Sequence, residues 1–125
     1  MEIALAGCTL DSFEWGFSVN LAFSAGWEVR IEGRFGLRTP HAGVMVDPAT
    51  YYGREIASPA LAALVGRAVE AAEVSRSGLL AITFDRGPAL TVGPDDEYES
   101  WTVAGPGGVK VICGPGGEVT SWPAG

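Results

Sequence analysis

The chain has 125 residues, 47% of them hydrophobic, which is enough for one domain spanning 1–125 with its own core and no disulfide staples. Fifteen acidic against eight basic residues give a formal charge of -7, a surface that repels phosphate backbones and argues against nucleic-acid binding. No apolar run reaches the roughly eighteen residues that a membrane helix needs.

The acid excess is shared, with seven acids and four bases in 1–57 and eight and four in 58–125. Its plain meaning is solubility, and its sharper meaning is a surface that meets a basic partner. Lys110 is the only lysine beside seven arginines; with abundant Ala and Gly, this suggests a GC-rich coding source.

Leu5-Ala6-Gly7-Cys8 spells a bacterial lipoprotein cleavage box, yet only Met1-Glu2-Ile3-Ala4 precede it, with an acid and no base. A secretory leader needs a basic start and a longer apolar stretch, so lipidation is not expected. Cys8 and Cys113 are the only cysteines and are expected as free thiols in a reducing cytoplasm.

Taken along the chain, one pattern is written twice. Val19-Asn20-Leu21-Ala22-Phe23-Ser24-Ala25-Gly26-Trp27-Glu28-Val29-Arg30-Ile31 returns 61 residues later as Leu80-Ala81-Ile82-Thr83-Phe84-Asp85-Arg86-Gly87-Pro88-Ala89-Leu90-Thr91-Val92. Each copy alternates into a Phe-x-x-Gly turn and alternates again, the pattern of a β-hairpin. Upstream, Gly7 to Trp15 resembles Gly66 to Val74 at an offset of 59, so the repeat covers about 7–32 and 66–93. Two three-stranded antiparallel meanders follow, at about 8–15, 17–24 and 27–34, then 67–75, 79–85 and 88–93.

Between them, 33–57 is rich in Gly and Pro, and only Val44-Met45-Val46 reads as a strand. Such a long connection either serves a function or wraps the core and inserts Tyr51 and Tyr52 into it. A short helix over about 59–65 follows, with Ser58 as N-cap and Pro59 in its first turn. Propensity alone favours one helix from Ala60 to Val74; the match with Thr9–Trp15, poor helix material, ends it near Gly66 instead. Gly105-Pro106-Gly107-Gly108 and Gly114-Pro115-Gly116-Gly117 read as type II turns separating strands at about 100–104, 109–113 and 118–122.

No catalytic, cofactor or metal residue stands out. The Gly-rich turns lead into β-branched residues, not into the helix a phosphate loop requires. His41 is the sole histidine and has no nucleophile motif around it. Four carboxylates in five positions, Asp95, Asp96, Glu97 and Glu99, lack the glycine spacing of a calcium loop. They read as a solvated turn that starts one helical turn and packs Tyr98 and Trp101 inward, or as an acidic patch for a protein partner. Among the tryptophans, Trp15 and Trp101 suit the core, whereas Trp27 and Trp122 sit where large residues are partly exposed and can anchor an interface.

Three signs, the Leu21–Ile31 hairpin with its second copy, Pro94-Asp95-Asp96-Glu97-Tyr98-Glu99-Ser100-Trp101, and Pro115-Gly116-Gly117-Glu118-Val119, resemble a small actinobacterial family of unknown function. Small acidic domains of this kind are loosely similar to immunity proteins that cover the active sites of bacterial toxins, which would imply a basic protein partner. The expected molecule is mainly β, with α+β as the alternative: two meanders, one short helix and C-terminal hairpin strands. It is expected to be a non-catalytic, cytoplasmic protein-binding domain, monomer or homodimer, using Asp95, Asp96, Glu97, Glu99, Trp27, Tyr51 and Tyr52. The alternative is a small-molecule binder with an aromatic-lined pocket between the halves.

Overall fold

Apolar residues alternate with polar ones along nearly every strand, and that period of two gives each sheet one buried face. The computed structural model describes residues 1–125. Its eleven strands are β1 (Leu10–Trp15), β2 (Val19–Phe23), β3 (Glu28–Ile31), β4 (Phe35–Arg38), β5 (Gly43–Val46), β6 (Val69–Val74), β7 (Leu80–Phe84), β8 (Ala89–Val92), β9 (Trp101–Ala104), β10 (Lys110–Cys113) and β11 (Val119–Trp122). One helix, α1 (Tyr51–Leu64), lies between β5 and β6. The strands form a six-stranded sheet ordered β1-β2-β3-β9-β10-β11 and a five-stranded sheet ordered β5-β4-β8-β7-β6, with antiparallel pairing throughout. The mainly β expectation therefore stands.

Val19, Leu21, Phe23, Val29, Ile31, Trp101 and Val103 of the first sheet share one core with Phe35, Leu37, Leu80, Ile82, Phe84, Leu90 and Val92 of the second. The Phe23 and Phe84 rings, equivalent in the repeat, stack at 6.5 Å between centroids.

The two meanders agree down to single hydrogen bonds. Both β1 and β6 shift register at the same place, between Leu10 and Ser12 and between Val69 and Ala71. Leu10 N–H donates to Arg67 O at 3.1 Å, and its counterpart Val69 N–H donates to Cys8 O at 2.7 Å. Gly7 N–H to Val69 O is mirrored by Gly66 N–H to Leu10 O. Thr9 and Ala68, themselves equivalent, bridge each other, which places a pseudo-twofold axis between them.

The repeated unit is longer than the sequence shows, and its last hairpin is exchanged. Phe35 and Leu37 of β4 pair with Val92 and Leu90 of β8, while Trp101 and Val103 of β9 pair with Ile31 and Val29 of β3. The fourth strand of each unit thus joins the third strand of the other, and a hairpin partner follows in each case, β5 on β4 and β10 on β9. The expectation of a single strand within 33–57 is corrected: β4 alternates Phe35 and Leu37 with Gly36 and Arg38, but it is only four residues long in a Gly- and Pro-rich stretch.

The helix is also corrected. It begins eight residues earlier than expected, at Tyr51, because the Thr50 hydroxyl accepts the Gly53 N–H at 2.9 Å and caps it. Pro59 lies inside the helix, and Ser58 is no cap; its hydroxyl donates to Arg54 O and accepts from the Trp15 indole N–H. The helix ends at Leu64 before Gly66 at φ +88°, so residues 69–74 are strand, as the repeat requires.

Ahead of β1, Ile3 N–H donates to Ala72 O and Val74 N–H to Met1 O, while Ile3 and Leu5 are buried. Leu5 is the repeat's counterpart of Leu64, and Leu5 and Cys8 of the lipobox-like stretch belong to the core, while Ala6 and Gly7 are exposed.

Candidate functional site

Antiparallel topology sends the loops 16–18, 32–34, 47–50 and 93–100 to one end of the two sheets. The turns carrying Trp27, His41, Arg86 and Pro106 lie at the other. At the first end the two exchanged connections cross. Glu32 and Gly33 N–H both donate to Ser100 O, at 2.8 and 3.0 Å, and the buried Ser100 hydroxyl donates to Gly93 O. A Cβ on Gly33 would overlap Ser100 Oγ and come within 3.3 Å of its Cβ, so the crossing needs glycine there.

Arg54 fastens the neighbouring loop. Its guanidinium donates to Pro48 O and Gly16 O and lies 5.6 Å from the Trp15 ring centroid, a cation–π contact. This ties 16–18 to the start of α1 and leaves Phe17 outside, fully solvent-exposed at 103%. Tyr51 and Tyr52, in the first helical turn, are 77% and 73% exposed. Of the two readings of 33–57, the one that inserts them into the core fails, because the buried stripe of α1 runs through Gly53, Ala57, Leu61 and Leu64.

The acidic turn is not helical. The Asp95 carboxylate accepts the N–H groups of Glu97 and Tyr98 at 2.8 and 3.1 Å, and Asp95 O accepts from Gly116 N–H. Asp95 therefore competes with helix formation by holding the backbone in a local turn. Asp96, Glu97 and Glu99 point to solvent. Tyr98, expected inside, is 68% exposed, because the Asp95 turn carries it outward while Ser100 and Trp101 re-enter the core. The chain's only ion pair, Arg34 with Asp47 at 3.9 Å, leaves the acids of this turn without a cationic partner.

Phe17, Glu32, Asp95, Tyr98 and Glu99 line one open cleft, and Glu32 and Asp95 also line an adjoining one with Arg34 and Asp47. Phe17, Glu32 and Asp47 are the residues that sequence reasoning missed. A large apolar residue in the tight Gly16-Phe17-Ser18 connection was the available signal for the first.

Trp27 leaves the candidate set. It is only 7% exposed, and its ring lies where a Cβ on Gly105 would come within 2.6 Å of it, at the opposite end from the acidic turn. Gly26, at φ +82°, closes the turn just ahead of Trp27. Trp101 is buried and donates its indole N–H to Gly78 O at 2.9 Å; Trp15 is half-buried, and Trp122 is 47% exposed.

His41 is exposed in the β4–β5 turn, and Cys8 and Cys113 are buried free thiols. Burial pushes the Cys113 thiol pKa up. No three His, Cys, Asp or Glu side chains converge as a metal cage would require. No helix is long and apolar enough to cross a membrane.

A family model described as a family of unknown function (DUF6188) matches residues 1–123. No curated protein and no solved structure matches the chain.

Proposed function

From the premise that this chain belongs to the DUF6188 family of unknown function, we propose that it is a non-catalytic protein-binding domain that docks a basic partner on its acidic end. The observation that carries this reading is the presence of four exposed aromatic side chains at one end of the molecule: Phe17 and Tyr98, on loops, line a cleft with Glu32 and Glu99, and Tyr51 and Tyr52 stand in the first turn of α1. Exposed aromatics are strong anchors in interfaces, and a predominantly acidic rim around them selects and steers a partner of opposite charge. The crossed connections and the Arg54 clamp hold these loops in place, which lowers the ordering cost of binding.

An inhibitor of a basic bacterial toxin, in the manner of immunity proteins, is the form of this function we propose. A toxin encoded beside the gene should be neutralised by the wild-type protein in a growth-protection assay, with affinity that falls as salt rises. The triple variant Asp96→Ala, Glu97→Ala, Glu99→Ala should lose protection while keeping its circular dichroism, since Asp95 still holds the turn. Undiminished protection by that variant, or by Phe17→Ala together with Tyr98→Ala, would remove this end as the docking surface. The aromatic-lined small-molecule pocket gains no support: the clefts described are open, and none is lined by tryptophan.

A further inference from the structure

The four sheet edges are not treated alike. The edge of β6 is covered by Met1–Ile3, and both β1 and β5 lie against α1. Strand β11 is held by β10 on one side only. We propose that β11 is a self-association edge, pairing antiparallel with β11 of a second copy across a twofold axis at Thr120.

The phase of the ladder sets the register. Gly114 N–H donates to Glu118 O at 2.7 Å and closes the β10–β11 hairpin. Narrow and wide pairs alternate from there, so Thr120 and Trp122 exchange hydrogen bonds with Ile112 and Lys110. Val119 and Ser121 therefore aim their N–H and C=O groups away from β10. No charge and no proline interrupts Val119-Thr120-Ser121-Trp122, although edge strands are usually blunted by such residues. Pro123 then ends the strand, and Gly125 N–H folds the tail back onto Gly107 O, clear of the edge.

Two such edges fit each other. With Thr120 facing Thr120, Val119 of each copy faces Ser121 of the other, and the outward groups satisfy one another on both sides of the axis. The closed twofold arrangement uses the same patch on both copies and stops at two. Charge also matches. Glu118 of the second copy falls opposite Trp122, whose other neighbour on that face is Lys110, the only lysine. The indole is thus flanked by a cation and an anion from different copies, twice per dimer, which offsets the repulsion between two chains of charge -7.

Sedimentation velocity of the full chain over a concentration series tests this, with a concentration-dependent dimer expected. Ser121→Pro removes an N–H that serves only the second copy and should leave a folded monomer. Lys110→Glu should weaken the dimer on the order of tenfold, and Lys110→Glu combined with Glu118→Lys should restore it. Thr120→Cys should form an interchain disulfide under mild oxidation, since facing residues of a non-hydrogen-bonded pair lie about 4.5 Å apart. Ser12→Cys, exposed on β1, should not. A wild-type monomer at about 1 mM, where a Kd up to that value would still show, would overturn the proposal. So would a dimer that survives Ser121→Pro or ignores the charge reversals, or Thr120→Cys cross-linking no faster than Ser12→Cys.

Discussion

Ala25 and Arg86 occupy equivalent turn positions at φ +60° and +68°, in the left-handed region that side chains with a Cβ avoid. Each is followed by a glycine at φ +82° or +100°, so both hairpins use the same turn although only the first has small residues. Replacing either residue by glycine should relieve about 1–2 kcal/mol of strain against about 0.5–1 kcal/mol of added unfolded-state freedom. Ala25→Gly and Arg86→Gly should each therefore stabilise the fold slightly, by about 0.5–1 kcal/mol in urea unfolding; a loss in both would show that the turns are unstrained. Cys113 makes a second residue-scale prediction. Burial raises its thiol pKa in the fold, so above the ordinary thiol pKa of about 8.5 the unfolded chain ionises first and binds fewer protons. Stability must fall as pH rises through that range, and the fall should be shallower in Cys113→Ala at the same ionic strength.

At the scale of elements, α1 carries Pro59 without a cap to excuse it. Proline there removes the hydrogen bond to the carbonyl one turn back, and Pro59 is exposed. Pro59→Ala should stabilise the protein by about 1–2 kcal/mol and raise the helical signal in circular dichroism, while an unchanged midpoint would mean the missing hydrogen bond is already compensated. The same proline explains why the helix was misplaced from sequence: Ser-Pro is an ordinary start signal, whereas the true start rests on a Thr50 hydroxyl three residues from Gly53. The meanders were legible because Phe23-x-x-Gly26 and Phe84-x-x-Gly87 repeat a turn and an alternation, both local properties. The exchange of β4 and β9 was not, because no local signal in Phe35–Arg38 or Trp101–Ala104 says which sheet receives it. Of the candidate surface, the exposed acids Asp96, Glu97 and Glu99 were readable from composition. The outward placement of Tyr98 depends on two hydrogen bonds to one Asp95 oxygen, and that of Phe17 on Arg54, which clamps Gly16 from 38 residues away.

For the whole molecule, exchange has a thermodynamic consequence. Each sheet is built from both repeats, and Phe23 and Phe84 stack where the units meet, so neither unit owns a complete sheet or a complete core. Two fused domains of independent stability would unfold in two steps, whereas shared sheets make every long-range pairing depend on both units. Phe35 of β4 belongs in sequence to the first repeat but lies fully buried, paired with Val92 on β8 of the second. Phe35→Ala should cost about 3–5 kcal/mol, enough to approach the whole stability of a domain this size. The loss should appear in one transition, with tryptophan fluorescence, which reports mainly on Trp27 and Trp101 of the six-stranded sheet and its turns, moving together with far-ultraviolet circular dichroism. A variant in which the fluorescence midpoint stays at the wild-type denaturant concentration while part of the circular dichroism melts early would mean that the sheets unfold separately and that the exchanged hairpins do not couple them.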